Sequence, residues 1–191
     1  MKVGVLAVQG DFSLHEKVLS RLGVETVQVR KPEHLKGCSG LIMPGGESTT
    51  FVKLLKNIGL FEALKRFGNE RVIFGTCAGL ITLATHVVNY PLETLQLINI
   101  RVERNAYGRQ IDSFVDNIQV TLNGQQFNVE GVFIRAPKIV GVGEGVTILG
   151  YHKGDVVLAE NDHILVATFH PELTDNTRIH EYFLQKIKST Q

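Results

Sequence analysis

The feature that most narrows what this chain can fold into is a repeated alternation of apolar runs and helix-spaced segments through its first half. Residues 3–8 form a continuous apolar run, the pattern of a strand covered on both faces. After a Gly10-Asp11 turn, Leu14, Val18, Leu19 and Leu22 recur at helical spacing, and Gly23 is placed to end that helix. Residues 24–29 read as a second strand. Residues 40–43 read as a short third strand that stops at Pro44-Gly45-Gly46. Helical spacing resumes at Phe51, Leu54, Leu55 and Ile58, and again at Phe61, Leu64 and Phe67. Residues 71–74 are a fourth strand, entering Gly75-Thr76-Cys77-Ala78-Gly79, and a helix is predicted through Leu80, Ile81, Leu83 and Ala84. Alternation of this kind predicts an α/β fold of three layers, with a mostly parallel central sheet flanked by helices.

The second half changes character. Residues 95–102, 118–122, 127–135, 146–152, 156–160 and 164–169 all read as strands. Asn123-Gly124, Lys153-Gly154-Asp155 and Asn161-Asp162 are turn signals between them, so antiparallel hairpins are expected here. Gly141-Val142-Gly143-Glu144-Gly145 reads as a loop. Ile179, Phe183, Leu184 and Ile187 share one face of a closing helix over residues 176–188. There is no repeat or linker, and 191 residues suffice for one core, so residues 1–191 are expected to form a single domain.

Composition removes several function classes. A net charge of +1 gives no broad basic field for nucleic acid. No apolar stretch approaches the roughly 20 residues of a membrane helix. Residues 1–8 lack a small-residue cleavage site and read as a strand, not a leader. The two cysteines, Cys38 and Cys77, form no paired framework, which suits a reducing cytoplasm.

Cys77 lies in a Gly-x-Cys-x-Gly turn between a strand and a helix, the form of a nucleophile elbow with cysteine in place of serine. The glycines are needed because the turn is tight. The site sits at a helix start, which favours an anion, and the Ala78 N–H is free to donate to an oxyanion. An isolated cysteine is more often an inert core residue; the glycines and flanking elements reverse that expectation here. Cys38, in Lys36-Gly37-Cys38-Ser39-Gly40, has no such setting and is assigned no role.

A cysteine nucleophile needs a base that later protonates the leaving amine. Of seven histidines, His170 ends a strong apolar strand and is followed two residues later by a carboxylate, in His170-Pro171-Glu172. Pro171 is expected to hold the chain extended, so that His170 and Glu172 point the same way. Glu172 would then fix the imidazole tautomer, giving a triad of Cys77, His170 and Glu172. His15, His34, His86, His152, His163 and His180 are expected at the surface or in turns. No histidine pair has zinc spacing, so no metal is expected.

Pro44-Gly45-Gly46-Glu47-Ser48-Thr49-Thr50 opens a helix but lacks the Walker ending. A backbone N–H of Gly46 with that of Ala78 would make an oxyanion hole. Ser48 or Thr49 is also a plain helix cap. Arg104 and Arg135 follow strand-like runs and are candidates to clamp a carboxylate, although by base rates each is a solvated surface residue.

Together these segments resemble the class I, triad-type glutamine amidotransferases over nearly the whole chain. Within that family the likeness is strongest to the branch of glutaminase subunits that serve pyridoxal 5′-phosphate synthases. It is carried by Val5-Leu6-Ala7-Val8-Gln9-Gly10-Asp11, the Gly45–Thr50 loop, the cysteine elbow, Arg104-Asn105-Ala106-Tyr107-Gly108-Arg109-Gln110 and His170-Pro171-Glu172-Leu173. The resemblance implies the flavodoxin-like class I glutaminase fold, hydrolysis of L-glutamine to L-glutamate and ammonia, and no cofactor. It implies that Gly46, Glu47 and Ser48 bind glutamine, with Arg104, Ile134 and Arg135 completing the pocket. It also implies a hetero-oligomeric partner, the large synthase subunit that builds pyridoxal phosphate and receives the ammonia. The Gly45-Gly46 backbone is expected to complete the oxyanion hole on docking, since glycine peptides change conformation cheaply. Competing readings are a glutaminase for another acceptor, such as imidazole-glycerol-phosphate synthase, a peptidase or γ-glutamyl hydrolase of similar fold, and a cysteine redox sensor.

Overall fold

The structure is a computed structural model describing residues 1–106 and 113–190. Its centre is a set of parallel strands: β1 (Lys2–Leu6), β2 (Glu25–Val29), β3 (Gly40–Met43), β4 (Val72–Thr76) and, much later in the chain, β12 (Ile164–Ala167). In space they run β2-β1-β3-β4-β12. The early connections are α1 (Phe12–Arg21), α2 (Ser48–Asn57) and α3 (Leu60–Glu70), while α4 (Ala78–Leu83) follows β4 and α5 (Arg178–Thr190) closes the chain.

Successive strand residues point to opposite faces, and both faces are apolar, so each must be covered. Val3, Val5, Ile42 and Phe74 pack with Leu19 of α1 and with Phe183 and Ile187 of α5. Leu6, Leu41, Met43 and Ile73 face the other way, against Phe51 and Leu55 of α2, Leu64 of α3 and Leu80 of α4. This division produces the three layers expected from the sequence.

Beyond β12 the sheet turns antiparallel through β11 (Asp155–Glu160), β10 (Thr147–His152), β7 (Ser113–Leu122) and β8 (Gln125–Ile134). The β7–β8 hairpin turns on Asn123 and Gly124, both at positive φ (51° and 76°). Such two-residue turns match the twist of the strands they join. A side branch contains β5 (Ala84–Val88), β6 (Ile98–Glu103) and β9 (Lys138–Val142), with β5 parallel to β6 and β6 antiparallel to β9.

Three local expectations change. The helix after Cys77 stops at Leu83, and Ala84 begins β5. The N–H groups of Leu95 and Leu97 bond the carbonyls of Thr82 and Leu83, so tertiary partners take the acceptors that would end the helix. The first strand-like run of the second half starts at Ile98, not at residue 95. Gly141 and Val142 belong to β9, paired with Arg101 and Ile100, and only the end of that glycine cluster is a turn.

Candidate active site

The elements that meet at the site are far apart in sequence but adjacent in the sheet. β3, β4 and β12 are neighbours, in register at Met43↔Gly75 and Thr76↔Ala167. Their C-terminal ends open onto the glycine loop, Cys77 and His170. Crevices at strand C-termini are where open α/β sheets bind ligands.

Cys77 holds φ 50° and ψ −105°, a conformation that side-chain-bearing residues rarely adopt. Its neighbours explain the glycines. A Cβ on Gly75 would lie 2.5 Å from Leu83 Cδ1 and 2.9 Å from the Gly79 carbonyl carbon, and one on Gly79 would lie 2.1 Å from the Met43 carbonyl oxygen. The Cys77 N–H donates to the Ala167 carbonyl at 3.0 Å, tying the elbow to β12. The thiol lies 4.0 Å from the carbonyl oxygen of Ile134. Ala78 is fully buried in the first turn of α4, where its N–H has no partner within the helix.

His170 is held by its N–H to the Val132 carbonyl at 2.8 Å, and its Nδ1 lies 2.7 Å from Glu172 Oε1. The link between them is not the extended segment expected from Pro171. Pro171–Leu173 is a single 3-10 turn, and the turn, not strand alternation, brings Glu172 back under the ring. Nε2 of His170 is buried and makes no well-formed hydrogen bond, yet it lies close enough to Cys77 for the thiol to influence its charge. Burial alone would lower the His170 pKa. Interaction with Cys77 and the bond to Glu172 outweigh it and raise the imidazole to about 10. Burial also works against ionisation of Glu172, but His15 and His170 hold its carboxyl below the usual range.

The His170 shift has a consequence for stability. Its folded pKa stands above the ordinary 6.5, so its contribution is full below about pH 6.5 and is lost as pH rises through about 10. Thermal midpoints of the wild type are expected to fall between pH 7 and 10.5 more steeply than those of His170→Asn. Parallel profiles would show that His170 carries no such charge.

The glycine loop passes directly over this pair. A Cβ on Gly45 would lie 2.7 Å from His170 Cε1 and 3.4 Å from Cys77 Cβ. Gly46 has φ +142° and packs against the Gln9 side chain, whose Nε2 donates to the Glu47 carbonyl at 2.9 Å. The helix cap is Glu47, not Ser48 or Thr49. Its carboxylate accepts from the N–H groups of Thr49 (3.1 Å) and Thr50 (2.6 Å), and Ser48 is the buried first residue of α2. Burial opposes ionisation of Glu47, but these bonds hold it at about 2.

Arg104 is more than a solvated surface residue. It lies 3.1 Å from Glu47 Oε1 and its guanidinium stacks 4.3 Å from the centre of the Tyr90 ring. Arg135 is exposed at φ 42°, directly after Ile134. Residues 107–110 of the Arg104 segment lie outside the described residues.

Sequence reasoning missed Tyr90 and misplaced three histidines. His152 is buried and bonds Asp116 at 2.9 Å. His15 and His180 are wholly buried, with His15 Nδ1 3.0 Å from His180 Nε2. The available signal was periodicity. His15 stands one turn before Val18 and Leu19, and His180 one turn before Phe183 and Leu184, within the apolar stripes of α1 and α5. Among the described residues no cluster of three His, Cys, Asp or Glu side chains is arranged for a metal ion, and no helix is long and apolar enough to cross a membrane.

A parallel α/β sheet whose strand ends present a cysteine on a strained turn beside a carboxylate-bound histidine is an arrangement suited to the class of cysteine-dependent amide hydrolases. Comparison with known proteins narrows it. The profile of the SNO glutamine amidotransferase family matches residues 5–189, and the chain belongs to that family. A protein of Thermosipho africanus named pyridoxal 5′-phosphate synthase subunit PdxT is 51% identical over 189 residues, 98% of this chain and 100% of that protein. The protein of the same name from Thermotoga neapolitana is 50% identical with the same coverage. A solved structure described as a glutamine amidotransferase superposes with a TM-score of 0.92 at 46% identity, covering 97% of this chain and 98% of its own.

Proposed function

We propose that this chain is the glutaminase subunit of a pyridoxal 5′-phosphate synthase, hydrolysing L-glutamine to L-glutamate and ammonia and delivering the ammonia to a large synthase subunit. The observation that carries the reading is the convergence of Cys77, His170 and Glu172 at adjacent strand ends, in a chain half identical to proteins that bear that subunit's name.

Cys77 Sγ passes its proton to His170 and attacks the side-chain amide carbon of glutamine. The oxyanion is received by the N–H groups of Ala78 and Gly46, each such donor contributing about 2.7–4 kcal/mol in sites of this type. His170 gives its proton to the departing ammonia, leaving a thioester on Cys77. Water deprotonated by His170 then releases glutamate and restores the thiol. Glu172 keeps His170 Nδ1 protonated and its Nε2 turned to the sulfur. Glu47, ionised well below neutrality, receives the substrate α-ammonium. In this reading Arg104, braced on Tyr90, and Arg135 receive the α-carboxylate, and Ser48 and Ile134 complete the wall. Each step uses groups of this chain and no cofactor.

Arg104→Ala is expected to raise KM for glutamine roughly tenfold, the equivalent of ~1.4 kcal/mol, with a much smaller change in kcat. Steady-state kinetics decide between this and a purely structural contact, which would lower kcat and Tm together.

The Gly45-Gly46 segment completes the oxyanion site on docking to the synthase. Glutamate release, measured with and without pyridoxal phosphate synthase subunits and with an imidazole-glycerol-phosphate synthase subunit as comparison, tests both parts of the reading. Activation by the first partner alone is expected. Equal turnover by the isolated chain excludes gating, and no hydrolysis in any mixture removes the glutaminase assignment.

A further inference from the structure

We propose that His15 and His180 are positioning residues, forming a buried relay behind the proposed triad that orients the Glu172 carboxylate toward His170. The inference rests on the glutaminase reading for its catalytic consequence, but its geometry stands apart from it.

Glu172 gives Oε1 to His170 at 2.7 Å. Its other oxygen, Oε2, is buried and makes no well-formed hydrogen bond, and Nε2 of His15 faces it at 3.5 Å. His15 Nδ1 is 3.0 Å from His180 Nε2, and His180 Nδ1 is buried without a hydrogen-bond partner. The chain of groups therefore runs His170–Glu172–His15–His180, crossing from the loop after β12 to α1 and on to α5. Phe74 of β4 packs edge-on against both relay rings, with centroids 6.4 Å from His15 and 5.8 Å from His180.

Two arguments fix the direction of the protons. If His15 carried its proton on Nδ1, its Nε2 lone pair would face the carboxylate, and lone pairs repel. His180 would then have to be protonated at Nδ1, leaving a buried N–H unpaired, which native structures rarely tolerate. With the proton on Nε2 in both rings, His180 donates to His15 Nδ1 and His15 points its N–H at Glu172 Oε2. The group left over is only a lone pair on His180 Nδ1. Thr76 Oγ1, also 3.5 Å from His15 Nε2, lies beside the same N–H.

Burial disfavours a charge on either ring near neutral pH. Burial lowers the pKa of His15, with His170 opposing and Glu172 and Asp11 favouring its charge. Burial lowers His180 to about 3, with His15 and Arg21 adding to the effect and Glu172 working against it. Lys17, Arg21, Glu130 and Asp175 line an open cleft that Glu172 also borders. A neutral relay with a fixed donor end holds the carboxylate in one rotamer without supplying a charge that would compete with His170 for it.

The test compares His15→Leu, which removes the donor, with His15→Gln, whose side-chain amide returns a donor near Nε2. Glutamine hydrolysis is followed against pH in the complex with the synthase subunit. Leucine is expected to lower kcat 10- to 100-fold with KM within twofold, and to move the acid limb of the profile upward by about one unit as Glu172 loses a partner. Glutamine should restore most of kcat and the original limb. Equal loss in both variants, or an unchanged profile in His15→Leu, overturns the proposal. Imidazole nitrogen NMR of the wild type gives a second arm that needs no variant to fold and no activity. Neutral Nε2–H tautomers at His15 and His180 are expected, and an Nδ1–H tautomer at His15 overturns the relay. Absence of glutaminase activity in the wild type would instead count against the functional reading, leaving the tautomers to be judged on their own.

Discussion

Cys77→Ala is expected to lower kcat for glutamine hydrolysis by about 10⁴-fold or more while leaving the protein folded. Loss of a nucleophile that works with its base as a unit removes covalent catalysis altogether, and what survives comes from binding and the oxyanion site. The substitution is structurally mild. The strained backbone at position 77 already carries a Cβ, so alanine meets the same φ and ψ. The sulfur's contact with the Ile134 carbonyl, at 4.0 Å, is too long to hold the fold. A second readout follows from the electrostatics. His170 is raised to about 10 partly by Cys77, so its pKa should fall in the variant, which histidine NMR titration can follow. Retained glutamine hydrolysis by a folded Cys77→Ala protein would sink the triad and every mechanism built on it.

Gly79→Ala should produce the largest loss of stability, about 3 kcal/mol or more, together with loss of activity. The added Cβ would stand 2.1 Å from the carbonyl oxygen and 2.9 Å from the carbonyl carbon of Met43. Both atoms are backbone at the end of β3, and no rotamer change can move them. Relief requires α4 to lift away from β3, and Cys77 and the Gly45-Gly46 loop ride on those two elements. Gly141→Ala is the control. Its nearest neighbours are carbons of the exposed Arg101 side chain at 3.3 Å and beyond, which can swing aside, so a cost of about 1 kcal/mol or less is expected. Urea midpoints for the two variants measure the difference. Similar midpoints would mean that α4 is not wedged against β3.

Much of the fold is legible in the sequence where local pattern and tertiary environment agree. The alternation of apolar runs and helix-spaced segments predicts β1 to β4 and the helices between them, because strands covered on both faces have no polar side to show. Asn123-Gly124 marks a hairpin because its turn demands positive φ. β5 and β9 are not legible. β5 continues a helical pattern until the carbonyls of Thr82 and Leu83 are taken by Leu95 and Leu97, and β9 sits in a glycine-rich segment that becomes a strand by pairing with β6.

The candidate site divides in the same way. Gly75-Thr76-Cys77-Ala78-Gly79 and His170-Pro171-Glu172 are local motifs, so the residue types and the chemistry expected of them could be named from the chain alone. How Glu172 reaches His170 could not, since a 3-10 turn replaces the expected extended segment. The pairing of Glu47 with Arg104, the Tyr90 platform and the His15–His180 contact join residues 14 to 165 positions apart, and no local signal encodes which distant group a side chain meets. The sequence by itself determined the Cys77 elbow, the alternating first half and the closing helix, because each follows from steric or periodic rules acting within a few residues. Only the tertiary structure decided that β3, β4 and β12 lie side by side, and with that adjacency how the cysteine, histidine and carboxylate named from the sequence come to share one buried site where each can shift the charge of the next.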